Sequence, residues 1–170
     1  MFKKKLSGRF IYIIEKDFQL RQLTQYFSIE ELRYVFGDDI INHPYNFEEI
    51  ENDVWSIHLV VKTTHLDKFV GYIRIISVKD IVEIHGGGIN NTFFDKMALT
   101  EAWLLIINWC FQYFKTDSIF TSCMIDNNKA YKFITGTGFK ETSRNLNENR
   151  ISFILTFDEF QYYNLACSIK

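Results

Sequence analysis

The residues whose types and spacing are best suited to chemistry are Glu83 and His85, two positions apart in the segment 81–88 (IVEIHGGG). A carboxylate and an imidazole can each act as a general base near neutral pH. Val82 and Ile84 alternate with them, so a strand would place Glu83 and His85 together on the face opposite this apolar pair. A solvated or ion-paired couple on the surface of a strand would show the same spacing.

Two predicted helix starts lie near this segment in the chain and are suited to an anionic ligand. Asn91 or Thr92 can cap a helix that continues to Phe114, and Asn127 can cap a second, shorter helix. A helix start presents unpaired N–H groups and the positive end of the helix dipole, both of which attract anions. The triple glycine at 86–88 has no phosphate-loop spacing, so it indicates a strand end, a bulge or close backbone approach of a ligand.

Hydrophobic periodicity predicts the elements that carry these residues, in the order β, α, α, β, β, β, α, β, α, β, β. The runs at 54–62, 69–78 and 81–88 are separated by short polar links, which predicts three consecutive antiparallel strands. We therefore predict an α/β (α+β) fold with a mixed, mostly antiparallel central sheet flanked by helices. One domain is expected over the whole chain, with its core at about 10–157 and a C-terminal tail at 158–170.

Four further segments have a predicted role in this fold. Residues 17–36 are predicted to form a broken pair of helices, and the helix that ends at Phe114 is apolar on most sides, so it should be buried against the sheet. The apolar run 118–125 predicts an interior strand. Residues 139–142 and 151–157 are predicted to form a terminal hairpin.

The composition indicates an ordinary folded protein and excludes several function classes. Of the 170 residues, 47% are hydrophobic, and the formal charge of −2 offers no general basic surface for nucleic acid. Three cysteines without metal-ligand or disulfide spacing predict neither a zinc site nor a disulfide framework. The sequence shows no export signal and no run long enough to span a bilayer. We expect a cytoplasmic protein without a membrane, nucleic-acid or metal partner.

A motif in the second half of the chain resembles a known family. Asn127 is followed by Ala130 and, eleven and twelve residues after Asn127, by Gly138-Phe139. Together with the element order, this pattern resembles the N-x-x-A/S … G-F segment of the GNAT superfamily of acyl-CoA-dependent N-acyltransferases. The resemblance covers residues from about 10 to 157.

The resemblance implies a reaction and a site. In that family acyl-CoA, most simply acetyl-CoA as co-substrate, lies where the strand before the long helix splays from the strand after it. The acyl group then passes by direct attack to a primary amine, on a small molecule or a protein N-terminus, with Glu83 or His85 as base. Tyr131 could protonate the leaving thiolate in place of the family's Tyr, which here is Ile134; direct release of the thiolate is the alternative. The implied contacts with acyl-CoA are made by Gly86, Thr92, Lys96, Met97, Ala98 and Asn127.

One part of the family pattern is replaced. The pyrophosphate loop usually reads Q/R-x-x-G-x-G/A, and aligning residues 100–102 with the family's T-E-A places Phe94, Met97 and Leu99 at its Arg/Gln, first Gly and Gly/Ala positions. We therefore predict a degenerate loop. It motivates an alternative function, a catalytically inactive GNAT-fold protein that is a binding or structural component of a larger assembly. Either protein could be a homodimer.

Overall fold

The computed structural model describes the backbone at residues 6–7, 11–15, 54–63, 69–88 and 93–168, and side chains at 71, 73–86 and 97–162. The strands in these ranges are β1 (Leu6–Ser7), β2 (Ile11–Glu15), β3 (Val54–Thr63), β4 (Phe69–Val78), β5 (Ile81–Gly88), β6 (Ser118–Met124), β7 (Lys140–Asn145) and β8 (Arg150–Thr156). The helices are α1 (Phe93–Phe114), α2 (Asn128–Gly136) and α3 (Phe157–Ser168). No helix among them is long and apolar enough to cross a lipid bilayer.

The strands form one sheet in the order β1-β2-β3-β4-β5-β6-β8-β7. Neighbours are antiparallel except β5 and β6, which run parallel because α1 connects them as a crossover. This topology confirms the predicted fold class, the three consecutive antiparallel strands and the terminal hairpin. The predicted helical pair at 17–36 lies outside the described residues.

A two-residue turn at Lys79-Asp80 sets the register of β4 on β5. Lys79 has a φ of 54°, in the left-handed region that tight hairpin turns use. The resulting register places Arg74 directly opposite His85 and Ile76 directly opposite Glu83. The turn therefore determines which residues of β4 are neighbours of the candidate base.

Helix α1 packs on one face of the sheet, which we call the core face; the other is the far face. Alternate residues of the central strands point to the core face and are buried; they include Ile73, Ile75, Val82, Ile84, Ile119, Phe153 and Leu155. As predicted, α1 is buried on much of its circumference, through Ala98, Ala102, Trp103, Ile106, Ile107, Cys110 and Phe111. Strand β6 lies between β5 and β8, which confirms the predicted interior strand.

Two cysteines in this core are unsuited to chemistry. Cys110 and Cys123 are free and buried, and both lie in apolar segments of the sequence. Burial raises the pKa of both thiols, that of Cys123 to about 11. Because the thiolate is the nucleophilic form, neither side chain is a candidate nucleophile near neutral pH.

The C-terminal segment contributes to the same core. Helix α3 begins with a reciprocal cap, in which the Thr156 N–H donates to Glu159 Oε2 at 3.2 Å and the Glu159 N–H donates to Thr156 Oγ1 at 3.4 Å. Phe160 is only 1% exposed, and its ring centroid lies 5.5 Å from that of Phe111. The buried interior thus extends past residue 157, into the segment that the sequence pattern predicts as a tail.

Candidate active site

Strands β5 and β6 separate soon after they meet. They share a single register pair, Glu83 with Phe120, whereas eight pairs join β4 to β5 and seven join β6 to β8. Next to this pair the Thr121 hydroxyl donates a buried 2.6 Å hydrogen bond to the carbonyl oxygen of Ile84. The Thr121 side chain thus takes the place of a backbone N–H group of β6 as the hydrogen-bond donor to the Ile84 carbonyl. Beyond it no register pair joins the described carboxyl ends of the two strands, and we call this unpaired stretch the split.

The edge of β5 that faces the split offers backbone hydrogen-bonding groups. Successive residues of a strand direct their N–H and C=O groups alternately to the two neighbouring strands. Because the Ile84 carbonyl points to β6, the backbone groups of Gly86 and Gly88 point the same way, into the split. Residues 86–88 have no side chains, so an extended ligand can approach this edge closely.

Both strands at the split are followed closely by helices. Residues 89–92 connect β5 to α1, and residues 125–127 connect β6 to α2, so both helix starts lie where the split opens. Asn127 Oδ1 accepts a 3.0 Å hydrogen bond from the Ala130 N–H, which confirms the predicted cap of α2. Because the oxygen is used in the cap, the NH₂ group is the part of the Asn127 side chain that can donate to a ligand.

Removing this cap is expected to destabilise the protein modestly. Asn127→Ala leaves the Ala130 N–H without its acceptor and should lower the free energy of unfolding by about 1 kcal/mol. Asn127→Asp keeps an acceptor and should unfold at nearly the same urea concentration as the wild type. Urea denaturation followed by circular dichroism measures both variants. Equal losses in the two variants would show that Asn127 stabilises α2 by another contact.

The two candidate bases are hydrogen-bonded to each other on the far face. His85 Nε2 lies 3.0 Å from Glu83 Oε2, which confirms that both side chains project from one side of β5. The His85 side chain is 16% exposed and that of Glu83 is 44% exposed. An ionised carboxylate only accepts hydrogen bonds, so Nε2 carries the hydrogen and a neutral imidazole has its lone pair on Nδ1.

The electrostatic surroundings favour an ionised Glu83. The hydrogen bond from His85 lowers the pKa of Glu83 below its ordinary value of 4.5, and the positive charges of Arg150 and Arg74 add smaller contributions. Partial burial beside Ile76 and Phe120 acts in the opposite direction but is outweighed. A carboxylate with a lowered pKa is a weaker base. In this pair Glu83 is therefore better suited to orient the imidazole of His85 and to stabilise its protonated form than to act as the base itself.

Tyr131 is not brought to this pair. Its hydroxyl donates a 3.1 Å hydrogen bond to Glu141 Oε2 on β7, and its ring centroid lies 5.6 Å from that of Phe153 on β8. The guanidinium group of Arg144 lies 5.8 Å from the Tyr131 ring. These contacts join Tyr131 to the β7–β8 hairpin, which β6 separates from β5. Ile134, at the position of the family's Tyr, is buried.

The other predicted contacts with acyl-CoA are placed as follows. Gly86 is half-buried at the split, and Met97, early in α1, is 37% exposed. The side chain of Ala98 is fully buried, so it has no surface for a ligand. Thr92 and the side chain of Lys96 lie outside the described residues, and the degenerate loop stays a prediction.

The sequence motifs do not include three polar residues of the far face near the split. Arg74 lies opposite His85, and Arg150 Nη1 donates a 2.8 Å hydrogen bond to Ser122 Oγ. Arg74 could have been found from the sequence, because the turn at Lys79-Asp80 sets its register. The contact between Ser122 and Arg150 depends on the pairing of β6 with β8, for which the sequence carries no local signal.

Several solved structures share this fold. The GCN5-related N-acetyltransferase from Brucella melitensis is 16% identical with a TM-score of 0.68, over 96% of this chain and 85% of that one. The ribosomal-protein-S5-alanine acetyltransferase from Vibrio fischeri is 11% identical with a TM-score of 0.64, over 93% and 99%. A nucleotide-linked sugar GNAT in its apo form is 14% identical with a TM-score of 0.63, over 97% of both chains. No protein-family model and no curated protein sequence matches the chain.

The chain therefore has the fold of the GNAT acetyltransferases, which confirms for the fold the resemblance first found in residues 127–139. At these sequence identities the likeness establishes the fold alone.

Proposed function

We propose that the chain is an N-acyltransferase that moves an acetyl or other acyl group from acyl-CoA to a primary amine by direct attack. The observation that carries this proposal is the split between β5 and β6, beside which Glu83 and His85 form a hydrogen-bonded pair. The GNAT fold supports it because the resembling family binds its acyl-CoA between the corresponding strands.

The described residues fit an acyl-CoA. The pantetheine arm is extended and contains amide groups, which match the backbone C=O group of Gly86 and the N–H and C=O groups of Gly88 at the split. A diphosphate matches a helix start, and that of α1 follows β5 after residues 89–92. Bound acyl-CoA would supply an acyl group activated as a thioester.

The chain's own groups then have distinct tasks. His85 Nδ1 takes the proton from the acceptor amine, and the Glu83 carboxylate orients the ring and stabilises the imidazolium that forms. The Gly86 N–H can donate to the acyl oxygen as negative charge develops there. The new N–C bond replaces the C–S bond, and the sulfur leaves as the thiolate of CoA. Glu83 itself is the alternative base.

The leaving group needs little help from an acid. A thiol has an ordinary pKa near 8.5, so a thiolate can depart without prior protonation. Direct release is favoured over proton donation by Tyr131, because its hydroxyl is already bound to Glu141.

Acetyl-CoA is expected to bind the purified protein saturably, as isothermal titration calorimetry would measure. Lys96→Ala removes a cation from the first turn of α1 and should raise the Kd about tenfold or more, the usual value of a charge-assisted hydrogen bond. Lys115→Ala is the matched control, because Lys115 is an exposed lysine just past the opposite end of α1. It should leave the Kd unchanged.

A second ligand tests whether the start of α1 holds the diphosphate, and acetyl-CoA itself distinguishes the acyltransferase from the inactive alternative. S-acetylpantetheine lacks the diphosphate, so it should bind more weakly than acetyl-CoA if the start of α1 holds phosphate. No heat and no thermal stabilisation with acetyl-CoA at millimolar concentration would overturn the acyltransferase proposal. That result would favour the inactive GNAT-fold component of a larger assembly.

A further inference from the structure

The far face near the split combines apolar and charged residues in separate places. Ile76, Phe120 and Ile154 share one row across the sheet with Glu83, and Lys140 on β7 lies at the outer end of this row. The next row toward the mouth of the split contains Arg74, His85 and Ser122, because the parallel register of Glu83 with Phe120 brings position 85 level with position 122. Polar groups are thus concentrated where the two strands part.

Two arginines flank the split from its two sides. Arg74 is on β4, next to β5, and Arg150 is on β8, next to β6. The Nη1 atom of Arg150 donates a 2.8 Å hydrogen bond to Ser122 Oγ on β6. Three strand spacings, about 14 Å or more, separate the two backbones, so a small group bound on the far face at the split lies between the two strands that carry the arginines. The side chains of Arg74, His85, Ser122 and Arg150 are half-buried. Charges in such positions are screened less by salt than charges on an open surface.

The positive charges of both arginines act on the pair. Arg150 and Arg74 help to lower the pKa of the Glu83 carboxyl group. A reaction that transfers a proton to His85 would add a further positive charge beside this carboxylate. An acceptor that carries a negative charge would be attracted to these groups.

We propose, on the basis of the N-acyltransferase function, that the acceptor is an amine that also carries an anionic group, a carboxylate or a phosphate, held between Arg74 and Arg150 with its nitrogen at His85. Guanidinium groups bind both anions in bidentate geometry. Their positive field also favours the neutral, nucleophilic form of an amine over its ammonium form. Arg74 and Arg150 thereby select the substrate class, and His85 acts on the nitrogen.

Anion binding can be tested without any acceptor or acetyl-CoA. The imidazole signals of His85, assigned by comparison with His85→Gln, are followed by NMR at constant pH and ionic strength while chloride is replaced by acetate or by inorganic phosphate. Saturable shifts are expected in the wild type, and the two anions distinguish a carboxylate site from a phosphate site. The double variant Arg74→Gln/Arg150→Gln should raise the Kd about tenfold or more, whereas Arg74→Lys/Arg150→Lys, which keeps both charges, should still bind.

The outcomes separate this inference from the function on which it depends. Absence of a saturable His85 shift in the wild type with either anion, or an equal Kd in the folded glutamine double variant, overturns the inference even if acetyl-CoA binds. With acetyl-CoA bound, an amine carrying a carboxylate should have a lower KM than its carboxamide analogue, and the glutamine double variant should raise only the former. Failure of acetyl-CoA to bind would overturn the acyltransferase function and leave the anion result standing.

Discussion

His85→Ala is expected to lower the kcat of amine acetylation by about 10²- to 10⁴-fold, the usual contribution of a general base. The reason is that Nδ1 is the basic atom of the pair, since Nε2 is directed at Glu83 Oε2 over 3.0 Å. The KM for acetyl-CoA should change little, because His85 is on the far face whereas the backbone groups of Gly86 face the split. Steady-state kinetics with saturating acetyl-CoA measures the effect. Glu148→Gln, in the exposed turn between β7 and β8, is the control for a change of surface charge.

The pH profile of kcat decides which member of the pair is the base. The pKa of Glu83 lies below 4.5, so a Glu83 base would place the acidic limb of the profile below pH 4.5, and a limb well above that pH excludes it. In His85→Ala the hydrogen bond that lowers the pKa of Glu83 is lost, and this pKa should rise. Retained activity with the limb moved to higher pH would therefore assign the base role to Glu83. Glu83→Gln should also lower kcat, because an amide can donate to Nε2 and so favour the wrong tautomer.

Short connections explain why much of the sheet could be predicted from the sequence. Strands β3, β4 and β5 follow one another through short links, and local pairing needs little information beyond alternating apolar residues and turn residues. Helix α1 could also be predicted, because its 22 residues are mostly apolar and contain neither Gly nor Pro. The C-terminal helix was harder to predict as part of the core. Its Thr156-x-x-Glu159 cap is a signal present in the sequence, but burial of Phe160 depends on a contact with α1.

The residues of the candidate site differ in the same respect. Some are brought together by contacts that are local in the chain, and others by contacts between distant segments. Glu83 and His85 are two residues apart on one strand, so their pairing follows from the period of a strand. The split follows from no local pattern, because it depends on where the pairing of β5 with β6 stops after Glu83. Arg150 reaches the site only through the pairing of β6 with β8, which is set by the hairpin and the core. Residues that modulate charge at a site are therefore the least predictable, since they come from strands far apart in the chain.

Phe160→Ala is expected to lower the free energy of unfolding by about 3–5 kcal/mol, which is a large fraction of the stability of an ordinary domain. Phe160 is 1% exposed, and its ring packs against Phe111 on α1, so truncation opens a cavity between α1 and α3 that the rigid sheet cannot fill. Urea denaturation measures the loss as a lower midpoint with an unchanged slope. The loss would show that residues after 157 are part of the cooperative unit.

The neighbouring aromatic provides the matched control. Phe157 also contacts Phe111, with ring centroids 5.3 Å apart, but it is 41% exposed. Phe157→Ala therefore removes one edge-to-face contact without leaving a closed cavity, and about 1 kcal/mol is expected. Similar small losses in both variants would contradict a docked α3 and would make it a peripheral helix. A large loss confined to Phe160→Ala would mean that α3 closes the core at the end of α1 opposite the split.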